Sequence, residues 1–411
     1  MSDLNVLTLP NNIRVVHQPV PHTKIVHCGF ILDVGSRDEK TDQLGIAHFW
    51  EHMAFKGTKK RKAFHILSKL DAVGGELNAY TTKEKICFYA SVLDKHMESA
   101  FELLKDITFD SIFPEKQIEN ERGVILEEMS MYRDNPEDAI QDELDHVIFG
   151  EHPLGQNILG TPESVKSFHR NDFHTFLEQN LNTGRIVFSC VGNVSFAKVE
   201  RLAKKYFEEI PNIQGTLNRQ PFTGFKAQRV VHHKSITQAH CALGTVAYPT
   251  SHDKRLPFFM LANLLGGPGM NSRLNMALRE RKGFVYHVEA TYHSFIETGL
   301  FGIYFGTEKA QVNRSLKLIH KELDKMRNQP LGTMQLHKAK EQLIGQLAMA
   351  EENNTHLMLM LGKSILDRGE VESLEEIFAR IRSISSSDLM HVANEVLPEE
   401  NISTLIFLPQ N

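Results

Sequence analysis

At 411 residues the chain exceeds what one hydrophobic core organises, and length alone points to two or three domains. With 41% hydrophobic and 24% charged residues it has ample apolar surface to bury, and its net charge of −5 with interspersed signs lacks the basic stripe of a nucleic-acid binder. Met1-Ser-Asp-Leu-Asn-Val6 has no basic flank leading into an apolar run, and no stretch approaches the ~20 apolar residues that span a bilayer. Neither a secretory signal nor a membrane segment is expected. Cys28, Cys87, Cys190 and Cys241 are far apart, form no C-x-x-C pair and read as small buried hydrophobes. A cytoplasmic location is the expectation.

In chain order, Arg14-Val-Val-His17 and His27-Cys28 lie in segments of alternating β-branched and polar residues separated by Pro19 and Pro21, which predicts two strands. Gln43–Phe55 predicts a helix, Leu77–Val92 strands, and Lys95–Thr108 and Glu119–Met131 further helices. Pro211–Lys226, with Pro211, Gly215, Pro221 and Gly224, has the composition of a linker. Beyond it the order recurs. Arg229-Val-Val-His232 matches Arg14-Val-Val-His17 at an offset of 215, and His240-Cys241 matches His27-Cys28 at 213. A helix over Arg255–Leu265, strands over Val285–Phe305, a helix over Ala310–Arg327 and a last strand over Ile402–Leu408 follow. The parallel order predicts a duplicated α+β architecture. Its two homologous domains are 1–210 and 227–411, joined by a 211–226 linker, each an antiparallel β-sheet with helices packed mainly on one face.

The most informative residues are Leu44–Phe55. His48 and His52, four apart on a helix, project from one face, where two imidazoles can chelate one metal without distorting the backbone. Zinc suits imidazole nitrogen and in catalytic sites leaves a position for water. Glu51 stands beside them as a proton acceptor, completing H-x-x-E-H, the reverse of H-E-x-x-H. Phe49 and Trp50 read as core residues anchoring the helix. In the later helix Glu121, Val124, Ile125, Glu128 and Tyr132 fall on one face, with Glu127 turned about 100° away. Two carboxylates on a partly apolar face are costly unless a metal or protons compensate. Glu128 is therefore the candidate third ligand, and Glu121 the acceptor that holds a histidine ring. A solvated acidic face is the alternative for this helix.

Four blocks, Gly45–Thr58, Gly74–Thr81, Glu121–Glu128 and Asn271 through Arg279 to Tyr286, fall in both halves of the chain. With His152-Pro and Gly160-Thr-Pro-Glu-Ser, they resemble the inverzincin family of pitrilysin, insulin-degrading enzyme and mitochondrial processing peptidase, above all its shorter bacterial members. The resemblance implies one zinc ion per chain on His48, His52 and Glu128, supported by Glu121. Glu51 would be the general base toward zinc-held water, hydrolysing peptides or unfolded polypeptides in an enclosed chamber. It implies that Leu77, Asn78, Ala79 and Tyr80 form an edge strand to which substrate adds as a further strand. It also implies that Arg279 and Tyr286 contact substrate and stabilise the tetrahedral intermediate. Relatives place that pair opposite the zinc in a four-domain clamshell, so a two-domain chain implies a homodimer supplying Arg279 and Tyr286 in trans. Gly266-Gly-Pro-Gly269 is no phosphate loop, since no Gly-Lys-Ser/Thr follows, and reads as the turn before the Asn271 helix. A catalytically silent core-type subunit, or a protease subunit needing a different partner chain, are the competing readings.

Overall fold

The computed structural model describes residues 4–410. Strands β1 (Asn5–Thr8), β2 (Arg14–Pro19), β3 (Ile25–Leu32), β4 (Glu76–Thr81), β5 (Ile86–Leu93) and β6 (Ile186–Gly192) form one sheet in the order β1-β2-β6-β3-β5-β4. Strands β7 (Arg229–Lys234), β8 (Ala239–Ala247), β9 (Val285–Ser294), β10 (Gly299–Thr307) and β11 (Ser403–Pro409) form a second in the order β7-β11-β8-β10-β9. Among the described residues the neighbouring strands are antiparallel, save for the parallel pairs β2–β6 and β7–β11. The order β2-β6-β3-β5-β4 thus recurs in the second sheet, and the α+β duplication is present in the topology.

The register corrects one of the two sequence matches. His17, Cys190 and Cys28 lie abreast across β2, β6 and β3. In the second sheet the corresponding row is Val231, Ile406 and Cys241. Cys28 and Cys241 enter equivalent cores, so the offset of 213 joins true counterparts. The Arg-Val-Val-His identity is out by one residue. His17 stacks on Phe196 beside the first core, whereas His232 reaches Glu143 on the opposite face of its sheet. A single-residue slip along a strand turns a side chain to the other face.

Helices α1 (Ile46–Ala54), α2 (Ala63–Asp71), α3 (Met97–Phe109), α4 (Glu115–Asp134) and α5 (Pro136–Phe149) follow in the first half. Phe30, Phe88 and Phe188 of the first sheet pack under this helical layer with Trp50, Phe101 and Phe207. The compact units are not contiguous in sequence, which differs from a division at residues 211–226. One holds the chain up to Met129 with Gln156–Arg219 and Met349–Glu372; the other holds Ser130–Gly155, Gln220–Ala348 and the chain from Ser373. Helix α5 lays Ile140, Leu144 and Ile148 on Ala242, Leu300 and Leu405 of the second sheet. Conversely, the Asn354–Arg368 helix lays Leu357, Leu361 and Ile365 on Val16, Ile31 and Val187 of the first. Hydrophobic periodicity shows that a helix buries a face but not which sheet receives it. The 211–226 stretch itself carries no helix or strand, yet Arg219 is buried there and donates to Asp33 and Asp38 at 2.7 Å. No helix among the described residues is long and apolar enough to cross a membrane.

Candidate metal centre and active site

Helix α1 is held by its start and by its apolar side. Gly45 (φ +92°) and Gly160 (φ +78°) bring two backbone segments into direct contact. A Cβ at Gly45 would collide with the Leu159 carbonyl oxygen, and one at Gly160 with that of Leu44. The first-turn amides of a helix lack internal partners. Here the buried Glu39 carboxyl group accepts from the Gly45 and Ala47 amides at 2.8 Å each, supplying partners that the helix start lacks. Phe49 packs edge-on against Phe173 and Trp50 against Phe88, within the core. The remaining face carries His48, Glu51 and His52.

Helix α4 supplies the carboxylates. Its inward residues are Ile118, Glu121 and Ile125, with Glu128 half-buried one turn on. Val124, expected on this face, is instead exposed, and so is Glu127. The 100° step per residue places Val124 on the flank of the Glu121–Ile125–Glu128 stripe. Glu128 Oε2 lies 3.7 Å from His48 Nε2 and 3.5 Å from His52 Nε2, and the two imidazole centroids are 4.7 Å apart. One ligand atom from each of His48, His52 and Glu128 falls within 4.8 Å of the others. His52 Nδ1 lies 3.2 Å from Glu121 Oε2, and Lys56 Nζ neutralises the other Glu121 oxygen at 2.7 Å. The Thr81 hydroxyl donates to Glu51 Oε2 at 2.6 Å.

The electrostatics fit a divalent cation. Burial alone would lift Glu121, but His52 and Lys56 outweigh it and hold its carboxyl below the usual range. The hydrogen bond from His52 holds Glu128 low as well. His52 is raised to about 9, because Glu121 and Glu128 overcome the effect of burial. Burial, then neighbouring His52, push His48 down, so it stays a neutral imidazole. Its Nδ1 is buried without a hydrogen-bond partner among the described residues, so His48 is held by packing rather than by an outer acceptor such as Glu121 gives His52. Two imidazoles and a carboxylate are a donor set that catalytic zinc takes. Burial raises Glu51, with the Thr81 hydrogen bond opposing it.

Leu77, Asn78, Ala79 and Tyr80 lie on β4, which is the edge of its sheet and pairs with β5 alone. Leu77 and Ala79 turn toward the core beneath α1, while Tyr80 turns to the opposite face, where Lys363 Nζ stands 5.1 Å from its ring. Arg279 and Tyr286 belong to the other compact unit. Arg279 sits in a π-helical turn, Asn275–Glu280, and Tyr286 near the start of β9, the strand whose edge position matches that of β4. The structure brings these two together: the guanidinium carbon is 5.6 Å from the tyrosine ring centroid, and Tyr286 is 87% exposed. Gly267–Met270 form a turn, with the following helix starting at Arg273. Sequence reading did not single out Glu39, Lys56 or Thr81. Lys56, four residues after His52 on the same helical path, carried the clearest local signal.

The sequence profile described as insulinase (peptidase family M16) matches residues 14–162, and that of the peptidase M16 inactive domain matches 167–343. An uncharacterized zinc protease of Streptomyces coelicolor is 35% identical over 95% of this chain and 86% of its own length. The uncharacterized zinc protease YmxG of Bacillus subtilis is 32% identical over 97% of both chains. A protease from Helicobacter pylori shares the fold with a TM-score of 0.91 at 23% identity, covering 99% of this chain and all of that one. A peptidase M16 inactive domain from Pseudomonas fluorescens does so with a TM-score of 0.92 at 17% identity, covering 100% of this chain and 99% of that one. With both halves matched and identity sustained along nearly its whole length, the chain belongs to the insulinase family, peptidase family M16.

Proposed function

We propose that the chain is a zinc-dependent endopeptidase acting on peptides or unfolded polypeptides. The observation that carries this reading is the convergence of His48, His52 and Glu128 beside Glu51. One zinc ion per chain on those three residues would acidify water and polarise the scissile carbonyl. Glu51 takes the proton of the attacking water and returns it to the leaving amine. Glu121 accepts from the His52 Nδ1–H, which would leave the Nε2 lone pair free for a metal held with Glu128 and His48. The open edge of β4 offers backbone donors and acceptors to an extended peptide, which gives affinity without demanding one sequence.

Arg279 and Tyr286, exposed and paired, are donors suited to the charge of a tetrahedral intermediate. In this reading they act in trans within a homodimer that encloses the substrate in a chamber. The four cysteines are free and buried, in keeping with a reducing cytoplasm. The competing reading is a catalytically silent subunit, and the inactive-domain profile favours it for 167–343. Residues 14–162, however, match the peptidase profile and retain the full His48, Glu51, His52 and Glu128 set. The Glu51→Gln variant tests the proposal. It should keep its zinc yet cleave quenched fluorescent peptides about 10²- to 10⁴-fold more slowly. Full activity in that variant would overturn the mechanism.

A further inference from the structure

We propose that Thr81 is a positioning residue for the base Glu51, tying it to the strand that seats the substrate; this inference rests on the peptidase reading above. Thr81 is the last residue of edge strand β4, on the same face as Leu77 and Ala79 by the two-residue period of a strand. Its hydroxyl donates to Glu51 Oε2 at 2.6 Å, and Glu51 Oε1 makes no hydrogen bond to a described residue. One carboxylate oxygen is thereby fixed, and the other is left to receive the proton of water.

The donor is itself immobilised. A β-branched side chain has few χ1 states, so a fixed backbone fixes the hydroxyl. The turn after Thr81 is pinned on several sides. The Thr82 amide donates to the Lys85 carbonyl at 2.7 Å, and the Ser36 and Arg37 amides donate to the Thr82 and Lys83 carbonyls at 3.1 and 2.8 Å. Gly35 lies so close that a Cβ there would collide with the Thr82 and Lys83 carbonyl oxygens. Buried Arg219, tied to Asp33 and Asp38, donates to the Glu84 carbonyl at 3.2 Å. A peptide pairing with β4 lies along the same rigid element that orients the base, so strand register and base position are set together.

The test compares Thr81→Val and Thr81→Ser with wild type and Glu51→Gln, using a quenched fluorescent peptide. Removing a hydrogen bond to a carboxylate should lower kcat of Thr81→Val about 10- to 100-fold. KM and zinc content should hold steady, and Thr81→Ser should recover most of the rate. Where valine prevents folding, as judged by circular dichroism, Thr81→Ala takes its place. An undiminished kcat, a loss confined to KM, or a serine variant as slow as valine would each overturn the inference. If Glu51→Gln is inactive while Thr81→Val is fully active, only the role of Thr81 falls. If Glu51→Gln is itself active, the peptidase mechanism falls first.

Discussion

Replacing Glu121 probes how the centre holds metal without touching a ligand. The Glu121 side chain is 8% exposed, lies 3.2 Å from His52 Nδ1, and meets Lys56 Nζ at 2.7 Å. Glu121→Ala leaves the His52 N–H without an acceptor, so the ring can rotate and its Nε2 becomes a poorer base. Loss of such an outer partner costs about 10- to 100-fold in metal affinity, or roughly 1.4–2.7 kcal/mol. The fold should survive, because the Lys56 side chain is already partly exposed and can turn to solvent. Lys56→Met supplies the contrast: it removes a cation near the metal position while keeping the acceptor, so zinc affinity should hold or rise. Competition with a chromophoric zinc chelator reads both variants. Affinity unchanged in Glu121→Ala, or an equal loss in Lys56→Met, would refute the idea that ring orientation is what Glu121 provides.

Two further outcomes follow from the same structure. His17 is buried beside Phe196 and its pKa is lowered to about 4, chiefly by burial, so it folds as a neutral ring. Its stabilising contribution is complete above the ordinary histidine value near 6.5 and is lost as pH falls from there toward about 4, costing roughly 2 kcal/mol by about pH 5. Urea titrations should show that His17→Phe lacks this part of the acid sensitivity; parallel wild-type and variant curves would contradict it. For the homodimer, mixing Glu51→Gln with Arg279→Ala, each inactive alone, should restore partial peptide cleavage through hybrid dimers. No recovery despite demonstrated subunit exchange would count against a site shared in trans.

Features set by neighbours along the chain were legible in the sequence. The i, i+4 histidines of α1 and the Glu121–Glu128 spacing of α4 follow from helical geometry; that Glu128 lies within 4.8 Å of both histidines depends on α1 meeting α4, which spacing within each helix does not specify. The alternation of Leu77–Tyr80 marks a strand, but its edge position came only through family resemblance, because alternation is blind to which strands have neighbours on both sides. What escaped depends on contacts distant in sequence. The Asn354–Arg368 helix gives no local sign that its apolar face lies on Val16 and Ile31. Glu39 caps α1 from a preceding segment that carries no capping signature, and Thr81 meets Glu51 only after β4 has packed beneath the helix. The Arg-Val-Val-His identity misled because four shared letters cannot resolve a register error of one residue, whereas the facing cores can.

Reconstitution with zinc tests the central claim most directly. The chain is stripped with a chelator, returned to buffer, and titrated with zinc while bound metal and peptide cleavage are followed together. Cleavage should vanish on stripping, return in proportion to zinc bound, and saturate at one ion per chain, with His48→Ala and Glu128→Ala failing to recover. Cleavage that survives complete removal of metal, or zinc uptake undiminished in both variants, would contradict the assignment of His48, His52 and Glu128 as a catalytic zinc centre.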